Sequence, residues 1–433
     1  MRFLFSALLL GTAWFAVACT PHATVGPTPA TSAASRTGEL TVGEVAELRR
    51  GRKYFTLRDR LTQTRDSTTA AALYARAVLE HAMNHPAASN GALAQLRAVP
   101  GLRDSVVADA WELEISNDLR LSDYTAGNRA IDSLLARGFL LDSVRTADAH
   151  NTDRIFRALA GIAPQTMIAT GPSDVPITGG HIPMVINDSA RNYVFDTGAN
   201  LSTIMRSEAT ALGLHIIPTG LDVGSSTSVR VTADLGIADS LRIDAMHFHD
   251  VVFLVLDDAL LTFPDGFRIP GIIGFPVIEQ MGEVRMRRTS LVVPATPPLR
   301  AEHNLLLDEL TLLTLARWEG RPMLCRLDTG AGRTQVYEPF YRRYRTAIVA
   351  ASDTATRKMG GAGGVVRTPV RVVKDARLAT GDTVATLKTI DVLVHSIARD
   401  ETENYLDCNL GHDVFDQFDE MIVNFRDMAF LLR

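Results

Sequence analysis

The feature that most constrains this 433-residue chain is a tetrapeptide that occurs twice. Residues 193–199 read YVFDTGA and residues 325–331 read CRLDTGA, so each predicted strand ends in Asp-Thr-Gly-Ala. The two aspartates, Asp196 and Asp328, lie 132 residues apart. Asp and Gly are common in turns, so one copy alone would be a weak signal. Two copies at the ends of two predicted strands indicate a duplicated structural unit.

A second pair of segments repeats in the same order. Residues 271–280 read GIIGFPVIEQ and residues 408–417 read CNLGHDVFDQ, with the shared pattern apolar-Gly-x-x-Val-apolar-acid-Gln. Gly274 lies 78 residues after Asp196, and Gly411 lies 83 residues after Asp328. Each copy then returns to a predicted strand, at 291–293 and 430–432. These spacings define an internal repeat of about 130 residues.

The sequence pattern from Ile177 to Arg433 is that of a β protein. Short β-branched runs alternate with turns, which is typical of a mostly β region. Each half resembles a retropepsin-type lobe of the kind found in retroviral and bacterial aspartic peptidases, and the resemblance covers roughly residues 170–433. It implies a mostly β, two-lobed fold with lobes at 166–298 and 299–433. Two unequal copies in one chain would build one site, as in pepsin-like enzymes, so we expect a monomeric catalytic unit.

The resemblance also assigns roles by position in the motif. Asp196 and Asp328 would form one catalytic dyad, and the hydroxyls of Thr197 and Thr329 would lock the two loops together. The remaining positions are the other residues of the two loops and the glycines that pack beside them: Gly198, Ala199, Gly330, Ala331, Gly274 and Gly411.

A pair of carboxylates suits peptide hydrolysis. Two carboxyls about 3 Å apart share one proton, so the ionised one activates a water and the neutral one donates to the substrate carbonyl. We therefore expect an aspartic endopeptidase that needs no cofactor. Ala199 and Ala331 stand where acid-acting members carry a hydroxyl donor, which predicts an optimum nearer neutral pH. His247 and His249 lack a third ligand, so we expect no metal.

Cys325 and Cys408 lie on strands that are neighbours in the resembled family. They are either a disulfide that braces the second loop or a pair of buried free thiols. We favour free thiols, because adjacent strands often hold Cβ atoms at poor bridging geometry.

Two glycine-rich segments are candidates for flaps over a substrate. Residues 224–228 (GSSTS) and 360–364 (GGAGG) both fall between an Asp loop and the later Gly strand. The alternative, which the sequence leaves open, is that both are ordinary surface loops.

Residues 40–165 are predicted to be a helical domain. Tyr74, Val78 and Ala82 recur at four-residue steps, and a similar set begins at Trp111, 37 residues later. Paired helices at this offset resemble a tetratricopeptide-like array, and a plain helical bundle fits equally well. The domain would act as an adaptor or as an inhibitory cover.

The N-terminus predicts export. Residues 1–19 combine a basic start, an apolar run and small residues before Cys19, which resembles a bacterial lipoprotein signal peptide. Acylated Cys19 would anchor the protein at the periplasmic face of a membrane, with the outer membrane favoured. The alternative is plain secretion after Ala18. Residues 20–39 are rich in Pro, Ser and Thr and predict a flexible linker.

The partners and the rival functions follow from the same data. A formal net charge of −5 and the absence of a basic stripe argue against nucleic acid, so the expected partner is a peptide or protein substrate. The main alternative is a non-catalytic peptide- or protein-binding lipoprotein with a helical-repeat domain on a degenerate peptidase scaffold. In a third alternative, each half dimerises with a half of another chain. Both Asp-Thr-Gly units are intact, which favours the enzyme.

Overall fold

The computed structural model describes residues 9–10, 39–138, 143–224, 231–361, 364–395 and 405–433. A helical region precedes a mostly β remainder with barrel-like sheets, which confirms the predicted fold class of helices followed by a mostly β region. Of residues 1–19 only the two-residue strand β1 (Leu9–Leu10) is described, so Cys19 and residues 20–38 lie outside the described residues. Among the described helices, none combines the length and apolarity needed to cross a bilayer.

The described part of the N-terminal region is helical. Thr69 caps its third helix by accepting a hydrogen bond from the Ala72 N–H at 3.2 Å, and this alanine-rich helix buries Tyr74 and Val78. The helices are α1 (Val42–Arg50), α2 (Tyr54–Thr62), α3 (Ala70–Ala82), α4 (Pro86–Arg97), α5 (Asp104–Arg120), α6 (Tyr124–Ala136) and α7 (Ser143–Leu159).

Residues 166–298, the first half of the β region, contain eleven strands and two helices among their described residues. The strands are β2 (Thr166–Ala169), β3 (Ser173–Pro176), β4 (His181–Ile186), β5 (Ser189–Phe195), β6 (Ser202–Met205), β7 (His215–Val223), β8 (Val231–Ile243), β9 (Met246–Leu256), β10 (Gly271–Ile273), β11 (Glu283–Met286) and β12 (Ser290–Val293). The helices are α8 (Arg206–Ala211) and α9 (Phe275–Gln280), and a 3-10 turn spans Asp258–Leu261. Eight strands form one sheet in the order β2-β9-β6-β10-β5-β4-β8-β7, with a further pairing between β8 and β9.

Residues 299–433, the second half, form a further sheet. The strands are β13 (Leu305–Asp308), β14 (Thr311–Trp318), β15 (Arg321–Leu327), β16 (Gln335–Val336), β17 (Ser352–Gly361), β18 (Gly364–Thr380), β19 (Thr383–Leu393), β20 (Cys408–Leu410), β21 (Met421–Asn424) and β22 (Ala429–Leu432). The helices are α10 (Glu338–Ala350) and α11 (His412–Phe415). The sheet order is β1-β17-β18-β19-β16-β20-β15-β14-β13, with a further pairing between β14 and β18.

A third sheet joins the halves. Its order is β22-β21-β11-β12-β3, so strands of the first half and strands of the second half lie side by side. At the seam, antiparallel β11 and β21 place Glu283 opposite Asn424. Glu283 is fully buried and accepts from Asn424 Nδ2 and from Arg300 Nη2, each at 2.8 Å. The seam is therefore hydrogen-bonded through side chains as well as through the backbone.

The helices share hydrophobic cores with both halves. One cluster joins buried residues of α5, α6 and α7 to both halves, and a second joins buried residues of α1 to α5 to β13, β14, β17, β18 and β19. Polar contacts also reach both halves. Arg120 pairs with Glu279 at 3.3 Å, and Tyr54 donates to Asp308 Oδ1 at 2.5 Å. The helical region is thus packed against the β region at both halves.

Candidate active site

The first Asp loop is positioned by β5 and β10. Asp196 directly follows β5, and β10 runs parallel to β5 with Ile273 opposite Phe195. The Asp196 N–H continues this ladder by donating to Ile273 O at 3.0 Å. The apolar strands therefore bury the backbone that carries the first aspartate.

The second Asp loop is built in the same way. Asp328 directly follows β15, and β20 runs parallel to β15 with Leu410 opposite Leu327. The Asp328 N–H donates to Leu410 O at 3.1 Å. The two segments that repeat in sequence thus occupy equivalent places in the two halves.

Two threonines join the loops reciprocally. The Thr197 N–H donates to Thr329 Oγ1 at 3.0 Å, and the Thr329 N–H donates to Thr197 Oγ1 at 3.1 Å. Each hydroxyl then donates to the opposite strand, Thr197 to Leu327 O at 3.1 Å and Thr329 to Phe195 O at 3.0 Å. All four hydrogen bonds cross between the halves, so they hold the two Asp loops against each other.

The two carboxyls converge on the loop glycines. The Gly198 N–H donates to Asp196 Oδ1 at 2.7 Å, and the Gly330 N–H donates to Asp328 Oδ1 at 2.9 Å. A Cβ added at Gly198 would lie 2.6 Å from Asp328 Cγ and 3.0 Å from Asp196 Oδ1. Only glycine leaves room for both carboxyls at this point.

The later glycines pack against the loops. A Cβ at Gly274 would lie 2.5 Å from the Leu201 carbonyl carbon, and one at Gly411 would lie 2.6 Å from Ala331 O. The Gly274 N–H donates to Ser202 Oγ at 3.1 Å, and the Gly411 N–H donates to Thr334 Oγ1 at 3.0 Å. These glycines therefore let each helix-bearing segment approach its loop closely.

The alanines contribute through their backbone. The Ala199 carbonyl accepts from the Phe275 N–H at 2.8 Å, and the Ala331 carbonyl accepts from the His412 N–H at 2.9 Å. Neither methyl can donate a hydrogen bond to a carboxyl.

The electrostatics of the pair are those of buried, interacting acids. Asp196 and Asp328 are both fully buried. Burial, together with the neighbouring Asp328 carboxyl, raises the pKa of Asp196 to about 8, while the charge of Arg326 opposes that increase. One carboxyl of such a pair stays protonated near neutral pH and can donate a proton, while the other accepts one.

The cysteine prediction needs correction. Cys325 and Cys408 form a disulfide, where free thiols had been favoured. The reason is the register: β15 and β20 place Cys325 directly opposite Cys408, with 4.6 Å between their Cα atoms. That separation lies in the range that a disulfide spans. The bond ties the strand that carries Asp328 to the strand beside it.

The two flap candidates lie at hairpins. Residues 225–230 fall outside the described residues, between the paired strands β7 and β8. Residues 362 and 363 also fall outside them, between β17 and β18, which pair from Ser352 with Val373 to Gly361 with Gly364. The strands that flank each candidate are thus described, whereas residues 225–230, 362 and 363 are not.

The sequence interpretation missed two polar residues beside the second aspartate. Arg326 is almost fully buried, and its Nη2 donates across the interface to Gly198 O. Asn409 is fully buried, and its Nδ2 donates to Asp328 Oδ2 at 2.8 Å. The available signal was a polar residue between two apolar neighbours in each of two strands, at positions where the first half has Val194 and Ile272.

A metal site is not apparent in the described parts of the chain. There, no group of three or more His, Cys, Asp or Glu side chains is arranged to hold an ion. His247 and His249 lie on β9, which β6 and β10 separate from β5 in the sheet order.

Comparison with known proteins points to the same class of site. The family model described as aspartyl protease matches residues 182–277, a segment that includes Asp196 and Gly274. The match supports an aspartic-protease-like function for this part of the chain. The search of curated proteins found no match.

One solved structure is similar to part of the chain. It is a retropepsin-like aspartic protease from Rickettsia conorii, 16 % identical, with 30 % of this chain and 94 % of that chain covered. The TM-score is 0.21, so this likeness carries no argument about the site.

Proposed function

We propose that this protein is an aspartic endopeptidase whose dyad is Asp196 and Asp328. The observation that carries the proposal is the reciprocal set of hydrogen bonds between Thr197 and Thr329. These bonds hold two buried carboxyls together from distant parts of one chain. A catalytic unit built this way is complete in a monomer.

The proposed reaction uses one water and one shared proton. The ionised carboxylate takes a proton from the water as its oxygen attacks the peptide carbonyl carbon. The neutral carboxyl gives its proton to the carbonyl oxygen, so the tetrahedral intermediate is uncharged. The carboxyl that took the proton of the water then gives a proton to the amide nitrogen as the C–N bond breaks, and the other carboxylate recovers a proton from a hydroxyl of the intermediate. Because the pKa of Asp196 is raised to about 8, the singly protonated pair persists near neutral pH. We therefore expect the optimum nearer neutral than in strong acid.

We further propose that the enzyme is a lipoprotein at the periplasmic face of a membrane, acting on peptides or proteins. The sequence around Cys19 supports the anchor, and the Cys325–Cys408 bond supports an oxidising compartment. Labelled palmitate should enter the wild type and not Cys19→Ala. Equal labelling of both would contradict lipidation at this residue.

The central test is a pair of substitutions. Asp196→Asn and Asp328→Asn should each reduce cleavage of a broad peptide library by at least about 1,000-fold, because neither half can supply both acid and base. Circular dichroism and melting curves should show that both variants fold. The wild type should also be inhibited by pepstatin-type compounds.

Retained cleavage in either variant would show that the two aspartates do not act as one dyad. Peptide binding by the wild type without cleavage at any pH would instead favour the non-catalytic binding protein.

A further inference from the structure

The two halves differ in the polarity of three positions around their aspartates. One position lies two residues before the Asp, one lies two residues before the later Gly, and one directly follows that Gly. The first half has Val194, Ile272 and Phe275 there, whereas the second half has Arg326, Asn409 and His412. A duplicated site with symmetric hydrogen bonds thus sits in an asymmetric environment.

Asn409 gives Asp328 a donor that Asp196 does not have. Asp328 accepts at both oxygens, from the Gly330 N–H at Oδ1 and from Asn409 Nδ2 at Oδ2. Asp196 accepts from the Gly198 N–H at Oδ1 and shares a side-chain hydrogen bond with Asp328, but no N–H group among the described residues donates to its buried Oδ2. Hydrogen bonds donated to a carboxylate favour its charged form. The charge is therefore better supported on Asp328.

The cations near the pair also belong to the second half. Arg326 lies on β15 and contacts the Gly198 carbonyl, and its charge lowers the pKa of Asp196 against the effect of burial. His412 lies on α11, with Nδ1 3.0 Å from Asp416 Oδ1 and Nε2 3.0 Å from Thr329 O. The hydrogen bond to Asp416 raises its pKa most and the charge of Asp328 raises it further, while burial opposes both. At the matching positions β5, β10 and α9 carry buried apolar side chains.

We propose that Asn409 is a positioning residue that fixes the negative charge of the pair on Asp328 and leaves the shared proton on Asp196. This inference rests on the proposed function and gives the two aspartates different roles. Asp328 accepts the proton of the attacking water, and Asp196 donates its proton to the carbonyl oxygen of the peptide. Arg326 supplies a positive charge beside the singly ionised pair.

The test exchanges the matched residues. In Asn409→Ile the second half receives the residue of the first, and in Ile272→Asn the first half receives an amide donor. Asn409→Ile should move the acid limb of the kcat/KM profile up by about one pH unit, a tenfold change in proton affinity. Ile272→Asn should move the alkaline limb down, because the donor would stabilise ionised Asp196. If Asn409→Ile does not fold, Asn409→Val takes its place.

A second readout is independent of activity. In protein with 13C-labelled aspartate, the Cγ signals of Asp196 and Asp328 are followed against pH and assigned with the Asp→Asn variants. The signal of Asp328 should carry most of the first titration step and that of Asp196 most of the second. In Asn409→Ile the first step should move up by about one pH unit. A wild type that titrates so but never cleaves would refute the proposed function and keep the charge assignment.

Two results would overturn the inference. One is a first step carried by Asp196 in the wild type. The other is a folded Asn409→Ile whose titration and pH profile superimpose on those of the wild type.

Discussion

The two halves of the β region reach the same backbone geometry by different side-chain contacts. In the second half, a disulfide joins Cys325 to Cys408. In the first half, the aligned positions are Tyr193 and Gly271, and a Cβ at Gly271 would overlap the Tyr193 ring. A disulfide in the second half and a tyrosine ring packed on a glycine in the first half thus support equivalent pairs of strands. The comparison teaches that the shared hydrogen bonds define each Asp loop, whereas the side-chain contact between the two strands beside it can differ.

The largest expected effect tests the symmetry of the loops. Gly198→Ala and Gly330→Ala would each force a methyl group against the carboxyl of the other half, because the added Cβ would lie less than 3 Å from that carboxyl. Displacing a catalytic group by about 1 Å can cost about 100-fold in rate, so both variants should lose at least that in kcat/KM. Gly171→Ala is the matched control, since nothing lies within 4 Å of its added Cβ. Unequal losses would show that the halves do not contribute equally.

Removing the disulfide tests a contact that only the second half has. Replacing both Cys325 and Cys408 by Val should lower the free energy of unfolding by about 2–4 kcal/mol, measured by urea denaturation. Amide hydrogen exchange should rise at Cys408–Leu410 and stay unchanged at Gly271–Ile273, because the first half has no such bond. Faster exchange in both strands would mean that the halves do not loosen separately.

The threonines test whether the halves are coupled. Thr197→Val and Thr329→Val each remove two cross-half hydrogen bonds and leave buried partners unpaired, so each should cost about 1–3 kcal/mol of unfolding free energy. The double variant should cost less than the sum of the two, because the first substitution already loosens the contact between the loops that the second one weakens. Strict additivity would contradict a reciprocal lock.

The most gradual effect is a pH dependence of stability. The pKa of Asp196 is raised to about 8 in the folded protein, so the folded state holds that proton more tightly than the unfolded state does. This contribution to stability is complete below about pH 4 and is lost as pH rises to about 8, at up to about 1.4 kcal/mol per pH unit. Asp196→Asn should flatten that slope in urea unfolding at several pH values. Parallel curves for the variant and the wild type would contradict the shift.

Much of the candidate site could be predicted from local sequence patterns. The two Asp-Thr-Gly-Ala segments, the two later glycines and the division into helical and β regions follow from patterns within a few residues. Asn409 and Arg326 were missed because their partners, Asp328 and Gly198, become neighbours only when distant strands pair. The disulfide was misjudged because strand register, which decides whether two Cβ atoms can be bridged, is not readable from spacing.

The sequence by itself determined that the chain carries two copies of one loop, because the same motifs occur twice in the same order and at similar spacings. Only the tertiary structure decided that the copies meet, that their surroundings differ, and that the helices pack into both cores. Those properties depend on which side chains are brought within hydrogen-bonding distance and away from water. Such contacts are set by strand pairing across more than a hundred residues.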